Sequence, residues 1–183
     1  MGIFFTSDLH IGHNKDFIWQ ARGFNSIEEH DTTILKNWNS IITPDDTVFI
    51  LGDLCMSGNE YEWNRIYKCL NGHIKFVHGN HDTDKKILRY TEDYNMEDLG
   101  YGFIYRIAKK KKFLLTHYPT IVTNINEENK FFVNLCGHSH TQNKFIDMDK
   151  GAIYHVELDA HNCMPVSLEQ IIRDIEKFKG EKF

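Results

Sequence analysis

Five short polar segments of this 183-residue chain carry the residues best suited to chemistry, and each segment directly follows an apolar run. Seven residues in these segments have side chains of the kinds that bind metal ions: Asp8, His10, Asp53, Asn80, His117, His138 and His140. Asp8 and His10 are separated by one residue, and so are His138 and His140. Because such neighbours face the same way in an extended segment, each pair is expected to offer two ligands to one site.

The number and type of these ligands predict two metal ions rather than one. Seven ligands exceed the four of a tetrahedral zinc site, and they suit two ions that share one carboxylate. Imidazole-rich sets favour Mn, Fe, Co, Ni or Zn over Mg or Ca, and we expect Mn. Only two of the seven are carboxylates, so two divalent ions would leave about two positive formal charges. Such a site favours an anionic substrate, and paired ions are the known arrangement for displacement at phosphorus.

The elements that must position these ligands are short strands. The apolar runs predict buried strands at Ile3–Phe5, Val48–Leu51, Ile74–Val77, Phe113–Leu115 and Phe131–Cys136. In open α/β sheets, ligands bind beyond the carboxyl ends of the strands, so the five polar segments are expected to converge. The glycines beside them, Gly52, Gly79 and Gly137, permit tight turns and close backbone approach.

Helical patterns lie between and after the strands. One follows Ser26, which forms a capping-box pattern with Glu29 and ends near Thr43. The other two helices are predicted at Tyr61–Leu70 and from Ser167 to Phe178. The charge run Lys109–Lys112 predicts a solvated hairpin tip, with a phosphate-attracting rim as the alternative. The alternation predicts an α/β fold with a mixed sheet or two stacked sheets.

Composition restricts the class of protein. Hydrophobic residues at 41% and aromatic residues at 13% support a folded core and argue against disorder. We expect one domain over residues 1–183. The net charge of -5 gives no electrostatic footprint for an extended nucleic-acid track. No apolar run approaches the roughly 20 residues of a membrane span, and Met1–Asp8 has no signal-peptide pattern. The four cysteines form no C-x-x-C pair and are expected to be reduced, which agrees with an expected cytoplasmic location.

The ordered motifs resemble one known family. Asp8-x-His10, Gly52-Asp53, Gly79-Asn80-His81-Asp82, His117 and Gly137-His138-Ser139-His140 resemble the calcineurin-like metallophosphoesterase family, in order and complete. The short chain, without an inserted cap, is similar to the compact bacterial or phage members. The resemblance implies a four-layer α/β/β/α sandwich of two mixed sheets around a dinuclear centre. One ion would take Asp8, His10, Asp53 and His140, and the other Asp53, Asn80, His117 and His138.

The resemblance also implies catalytic roles. A hydroxide that bridges the two ions would attack phosphorus, and His81 would protonate the leaving oxygen or stabilise the phosphoryl group. Asp82 would orient the imidazole of His81. Outside the motifs, His13 is a candidate for substrate contact, or it merely ends a turn. Arg22 is a candidate for a two-point phosphate contact, with a surface salt bridge as the alternative.

Other polar residues are assigned to structure. Asp159, His161 and Asn162 are interpreted as a loop before the last helix, with a place at the edge of the site as the alternative. Four histidines without a surrounding motif are interpreted as structural or exposed: His30, His73, His78 and His155.

The sequence therefore predicts a phosphoesterase that depends on two metal ions. Because no cap is visible, we expect a phosphodiesterase that acts on a small nucleotide-like ester or a nucleic-acid end. A phosphomonoesterase of the same mechanism is the alternative. A metal-stabilised scaffold without catalysis is an alternative from another class, but such a protein would be expected to lose ligands or His81, and all are present. A single-metal hydrolase would leave about three ligand-type residues unused.

Overall fold

A computed structural model describes residues 1–56, 67–108, 111–122, 131–148 and 151–180. The described strands form two sheets. The first sheet contains β1 (Ile3–Thr6), β2 (Thr47–Leu51), β3 (His73–Val77), β4 (Glu97–Asp98) and β10 (Val166–Ser167). Its order is β10-β1-β2-β3-β4, with β1 to β4 parallel and β10 antiparallel to β1.

The second sheet contains β5 (Phe103–Ala108), β6 (Lys111–Leu115), β7 (Phe131–Cys136), β8 (Phe145–Met148) and β9 (Gly151–His155). Its order is β5-β6-β7-β9-β8, with β6, β7 and β9 parallel and the two edge strands antiparallel. Both sheets are mixed, which confirms the predicted α/β fold. The antiparallel pair β5 and β6 also agrees with a hairpin at the lysine run, although residues 109–110 lie outside the described part.

The described α-helices are α1 (Asp16–Trp19), α2 (Ile27–Ile41), α3 (Asp84–Glu92) and α4 (Leu168–Lys179). The Ser26 side chain accepts a hydrogen bond from the Glu29 N–H, as the capping pattern predicts, and Ser167 caps α4 through the Gln170 N–H. Most of the helix predicted at Tyr61–Leu70 lies outside the described residues. In the described part, no helix is long and apolar enough to cross a membrane.

Two hydrophobic clusters hold the layers together. Along β2, Val48 and Ile50 face the cluster that contains Trp38 of α2, whereas Phe49 and Leu51 face the cluster between the two sheets. This alternation follows from the two-residue period of a strand, and it leaves β2 buried on both faces. Each of these buried side chains contributes roughly 1.5–3 kcal/mol to folding, so the strand that ends at the site is firmly held on both faces.

Helix α4 joins the two sheets at one edge. Its Ile171 and Ile175 belong to the cluster between the sheets, and the ring of Phe178 stacks on Phe145 of β8 at 4.2 Å. The hydroxyl of Tyr154 in β9 donates a hydrogen bond to Asp174 of α4. The helix therefore fixes the second sheet against the first, and with it the relative position of the strand ends.

Candidate metal centre

The polar segments that follow the strands of both sheets meet at one place. After β1, the Asp8 N–H donates to the Gly52 carbonyl that follows β2. After β7, the His138 N–H donates to Oδ2 of Asp8 at 2.9 Å, which joins the second sheet to the first. The predicted convergence of the strand ends is therefore observed, and all seven predicted ligand side chains lie in this region.

A first group of ligand atoms surrounds one point. The Nε2 atoms of His10 and His140 lie 3.1 Å apart. Oδ1 of Asp8 lies 3.7 Å from Nε2 of His10 and 3.6 Å from Nε2 of His140. Oδ2 of Asp53 lies 3.7 Å from Nε2 of His10. Metal bonds of 2.0–2.2 Å place neighbouring ligand atoms roughly 3–3.5 Å apart, so the atoms of Asp8, His10 and His140 lie near the spacing that one ion requires, and Asp53 adjoins this group through His10.

A second group shares the same oxygen of Asp53. Nε2 of His117 lies 3.6 Å from Oδ2 of Asp53 and 2.9 Å from Oδ1 of Asn80. Nδ1 of His138 lies 2.9 Å from the same Asn80 oxygen. The two groups thus meet at Asp53 Oδ2, which is the arrangement that a bridging carboxylate requires.

The chemistry of these side chains fits metal binding. Oδ1 of Asp8 is buried without a hydrogen-bond partner among the described residues, and an unpartnered buried carboxylate oxygen is costly unless a cation contacts it. Nδ1 of His117 lies 2.8 Å from the Leu51 carbonyl. A carbonyl can only accept, so Nδ1 carries the hydrogen, and Nε2 of the neutral ring is left with a free lone pair toward Asp53.

Five of the seven ligands have a left-handed backbone. Their φ angles are 54° at Asp8, 48° at His10, 55° at Asp53, 72° at His138 and 48° at His140. The expected extended backbone at the two paired motifs is therefore wrong, although both members of each pair still face one site. Positive φ is uncommon outside glycine, with Asp and His among the tolerant types, and residues in it cost about 1–3 kcal/mol each.

Two glycines let the backbone approach the carboxylates, as predicted. A Cβ atom at Gly79 would lie 2.1 Å from Oδ1 of Asp53, and one at Gly137 would lie 2.1 Å from Oδ2 of Asp8. Any side chain at either position would therefore displace a ligand carboxylate.

Asp82 has different partners from those predicted. Its Oδ2 accepts from the N–H groups of Asp53 and Gly79 at 2.8 and 2.9 Å, and its Oδ1 accepts from the hydroxyl of Tyr90 at 3.0 Å. The carboxylate is buried, and none of these bonds involves the His81 ring. We therefore correct its role: Asp82 holds the backbone of the two segments that carry Asp53 and Asn80.

His81 lies at the rim of the centre. Its side chain is 40% exposed, and its Nε2 lies 3.9 Å from Oδ2 of Asp53. Its N–H donates to Oδ1 of Asp53 at 2.9 Å, which fixes the start of the side chain beside the shared ligand. This placement leaves the ring accessible to a molecule bound over the centre.

His13 extends the cluster of imidazoles outward. Its Nδ1 lies 3.2 Å from Nδ1 of His10, and its ring lies 6.1 Å from that of His81. Burial, together with the neighbouring histidines, lowers the pKa of His13 to about 4. The ring is therefore neutral at pH 7, and its contact with substrate stays a prediction.

Arg22 forms a buried ion pair rather than a surface one. Its Nε and Nη2 donate to the two oxygens of Asp159 at 3.1 and 2.7 Å. Nη2 also donates to the Asp8 carbonyl, and Nη1 contacts the Leu9 carbonyl and Nε2 of His30. All five guanidinium hydrogens thus have protein partners, so a phosphate could reach Arg22 only by displacing one of them.

Asp159 lies at the edge of the site, which the sequence analysis gave only as the alternative to a loop. Its Oδ2 lies 3.1 Å from Nδ1 of His140, at the edge of the site rather than in an unrelated loop. Burial opposes ionisation, but the hydrogen bonds with His140 and Arg22 hold the pKa of Asp159 well below its usual range. The motif Asp159-x-His161-Asn162 was the available signal; His161 itself points to the His155 carbonyl.

Glu157 is a second residue that the sequence analysis missed. It is fully buried, and its carboxylate accepts from the N–H groups of Ser139 and Thr141. These bonds hold the segment that carries His138 and His140. Nothing in its local sequence, at the end of the apolar run of β9, distinguishes Glu157 from an ordinary surface glutamate.

The charges of the first group suit a cation. Burial opposes ionisation of Asp8, yet the nearby imidazoles of His10, His117 and His140 keep its pKa below the usual value. Burial lowers the pKa of His10, so this ring is neutral at pH 7. Burial also works against protonation of His140, but Asp159 and Asp8 raise its pKa overall. Asp8 and His10 therefore have the anionic carboxylate and the neutral imidazole that bind a metal, whereas the protonated form favoured at His140 must lose a proton to do so.

Comparisons with known proteins identify the family of the chain. A family model, the calcineurin-like phosphoesterase superfamily domain, matches residues 1–156. An uncharacterised protein of Methanocaldococcus jannaschii is 34% identical over 182 residues, which cover 97% of this chain and 93% of that protein. The gene 66 protein of Mycobacterium phage D29 is 25% identical over 202 residues, which cover 96% of this chain and 98% of that protein.

A solved structure shows the same fold. The crystal structure of a protein of unknown function from Aquifex aeolicus has a TM-score of 0.68 at 25% identity, and the match covers 97% of this chain and 98% of that one. The chain belongs to the calcineurin-like phosphoesterase superfamily, as the order of its motifs predicts.

Proposed function

We propose that this chain is a phosphodiesterase that uses two divalent metal ions, with Mn the expected metal and Fe, Ni, Co or Zn as substitutes. The observation that carries this proposal is the position of Asp53 Oδ2, which lies 3.7 Å from Nε2 of His10 and 3.6 Å from Nε2 of His117. One oxygen thus belongs to both ligand groups, which supports two ions side by side rather than two separate sites.

Charge supports a phosphoester as the substrate. Asp8 and Asp53 are the carboxylates among the seven ligands, so two divalent ions would give the centre a positive formal charge. When bound, such ions acidify the water that serves as nucleophile and neutralise charge that develops on the phosphoryl oxygens. The natural ligand of such a centre is therefore an anionic phosphoryl group.

The proposed role of His81 follows from its exposure. The ring lies beside the shared oxygen of Asp53 and is open to solvent, so it can reach a phosphoryl group over the centre. There it would donate a proton to the leaving oxygen or a hydrogen bond to a phosphoryl oxygen. Asp82 supports this position indirectly, because it holds the backbone of Asp53 and Gly79.

A diester, rather than a monoester, is favoured by the open groove. A groove of about 510 Å³ lies over the centre, with ligand residues such as Asp53 and Asn80 on its floor. In the described part of the chain, no added domain covers it. A second ester group therefore has room beside the phosphorus, and we propose a small nucleotide-like ester or a nucleic-acid end as substrate.

Metal-dependent hydrolysis tests the proposal. Chelator-stripped protein would be supplied with Mn, Ni, Co, Zn or Mg singly, and hydrolysis of bis-p-nitrophenyl phosphate and p-nitrophenyl phosphate would be compared. We expect about two ions per chain and a preference for the diester with Mn. A clear preference for the monoester would replace the phosphodiesterase by a phosphomonoesterase. Two bound ions without turnover of either ester would favour the scaffold alternative.

A further inference from the structure

The groove over the metal centre has an apolar wall that the proposed chemistry does not use. Besides the histidines and the other polar residues, the groove is lined by Lys15, Phe17, Ile18 and Ala21, which form what we call its wall. Its volume of about 510 Å³ lies in the range of sites that hold one small molecule. Floor and wall belong to the same groove, so one molecule can contact both.

The wall is held in place while its aromatic ring stays exposed. Ile18, the next residue after Phe17, is 7% exposed and anchors helix α1, whereas Phe17 is 64% exposed. The ring of Phe17 packs edge-on against that of His13 at 5.7 Å, and the ring of His13 lies 5.2 Å from that of His10. A line of rings therefore leads from a metal ligand outward to Phe17.

We propose that Phe17 stacks on a nucleobase of the substrate, so that the site takes nucleoside phosphodiesters; this inference rests on the proposed function. The phosphoryl group belongs on the cationic floor, and a planar ring attached to it reaches the wall. Stacking on an aromatic side chain tolerates any base, since every base has a π-face. Lys15 adds a positive charge to the same groove, which suits the anionic backbone of a nucleotide.

The test keeps the leaving group constant and varies the group that faces the wall. Metal-loaded protein would hydrolyse two p-nitrophenyl phosphodiesters, one with a methyl and one with a thymidine-5′ substituent. We expect a KM about tenfold lower for the thymidine ester. Phe17→Ala should raise the KM of the thymidine ester about tenfold more than that of the methyl ester, and Phe17→Trp should retain the preference. The matched control is Leu88→Ala, which truncates an exposed apolar side chain of α3.

Two results would overturn the inference: a preference that survives in Phe17→Ala, or an equal loss for both esters. If wild-type protein hydrolyses neither ester, the proposed function fails separately. Calorimetry then compares the affinity of the protein for thymidine 5′-monophosphate with its affinity for inorganic phosphate, and this comparison tests whether Phe17 binds the base. Tighter nucleotide binding that Phe17→Ala abolishes supports it, and equal affinities refute it.

Inhibition experiments show whether the nucleoside belongs to a mononucleotide ester or to a nucleic-acid end. Inhibition by a short thymidine oligomer well beyond that by thymidine 5′-monophosphate would identify a nucleic-acid end as the substrate. Equal inhibition would identify a mononucleotide ester.

Discussion

Arg22 and Asp159 form a two-point ion pair, with side chains only 1% and 8% exposed, although they lie 137 positions apart in the sequence. The same guanidinium donates to the Asp8 carbonyl, and the same carboxylate contacts Nδ1 of His140. The pair therefore links two segments that carry ligands of the first metal group. Since a partner of this kind fixes the orientation of a ligating imidazole, we propose that the pair positions the candidate metal centre.

Asp159→Asn should weaken the first ion selectively. The variant keeps the shape of the side chain but removes the charged acceptor of His140, and losses of this type lower metal affinity 10–100-fold. We expect one ion per chain at a metal concentration that gives wild-type protein two, measured by elemental analysis after dialysis. Asp174→Asn, which alters a carboxylate paired with Lys144, is the control. Equal metal loss in both variants would argue against a positioning role.

Gly137→Ala should abolish the first metal group. The added Cβ would lie 2.1 Å from Oδ2 of Asp8, so the carboxylate and the segment that carries His138 cannot both keep their places. Gly102→Ala is the matched control, because its Cβ would meet atoms no closer than 3.4 Å. Metal counting combined with thermal unfolding would show a folded protein that has lost metal. Full metal binding in Gly137→Ala would contradict the described packing.

Much of the site could be predicted because its ligands directly follow strands. The types of Asp8, Asp53 and His117 are visible locally, and parallel strands bring their ends together. The roles of Asp82, Arg22 and Asp159 could not be predicted in the same way. Asp82 is adjacent to His81 in the chain but is bonded to the Asp53 backbone and to Tyr90. Such partnerships arise from tertiary packing, which a local pattern does not contain.

Helix α3 shows the same limit for the fold. Of its nine residues, only Tyr90 is buried, and most of the others are polar, so no apolar run marks the segment in the sequence. Its position depends on the ring contact of Tyr90 with Phe76 of β3, at 5.2 Å, and on the hydrogen bond to Asp82.

His81→Ala should slow turnover without loss of metal. His81 is not one of the seven candidate metal ligands, so its removal should leave the metal bound. A side chain that transfers a proton contributes typically 10²–10⁴-fold to the rate. We expect the loss to be larger for alkyl diesters than for p-nitrophenyl esters, whose leaving group needs little protonation. Steady-state kinetics on both esters, with metal counted in the same samples, provides the comparison. An equal loss for both esters would assign His81 to phosphoryl stabilisation instead.

Stability should fall between pH 6.5 and pH 4 in part because of His161. Burial lowers the pKa of His161 from 6.5 to about 4 in the folded chain. In this window the unfolded chain binds a proton that the folded chain does not, so acidification favours unfolding, by at most about 3 kcal/mol. His161→Gln should reduce this pH dependence in urea unfolding, whereas exposed His73→Gln should leave it unchanged. Parallel pH profiles for wild-type and His161→Gln proteins would refute the assignment.

The most direct test of the whole account is the number of metal ions bound by Asp53→Asn. Asp53 Oδ2 lies within 3.7 Å of a nitrogen in each ligand group, so this single change should weaken both ions together and abolish diester hydrolysis. At saturating Mn, wild-type protein should hold about two ions per chain, and the variant fewer than one. A variant that retains two ions, or one with unchanged turnover, would contradict the shared-ligand centre.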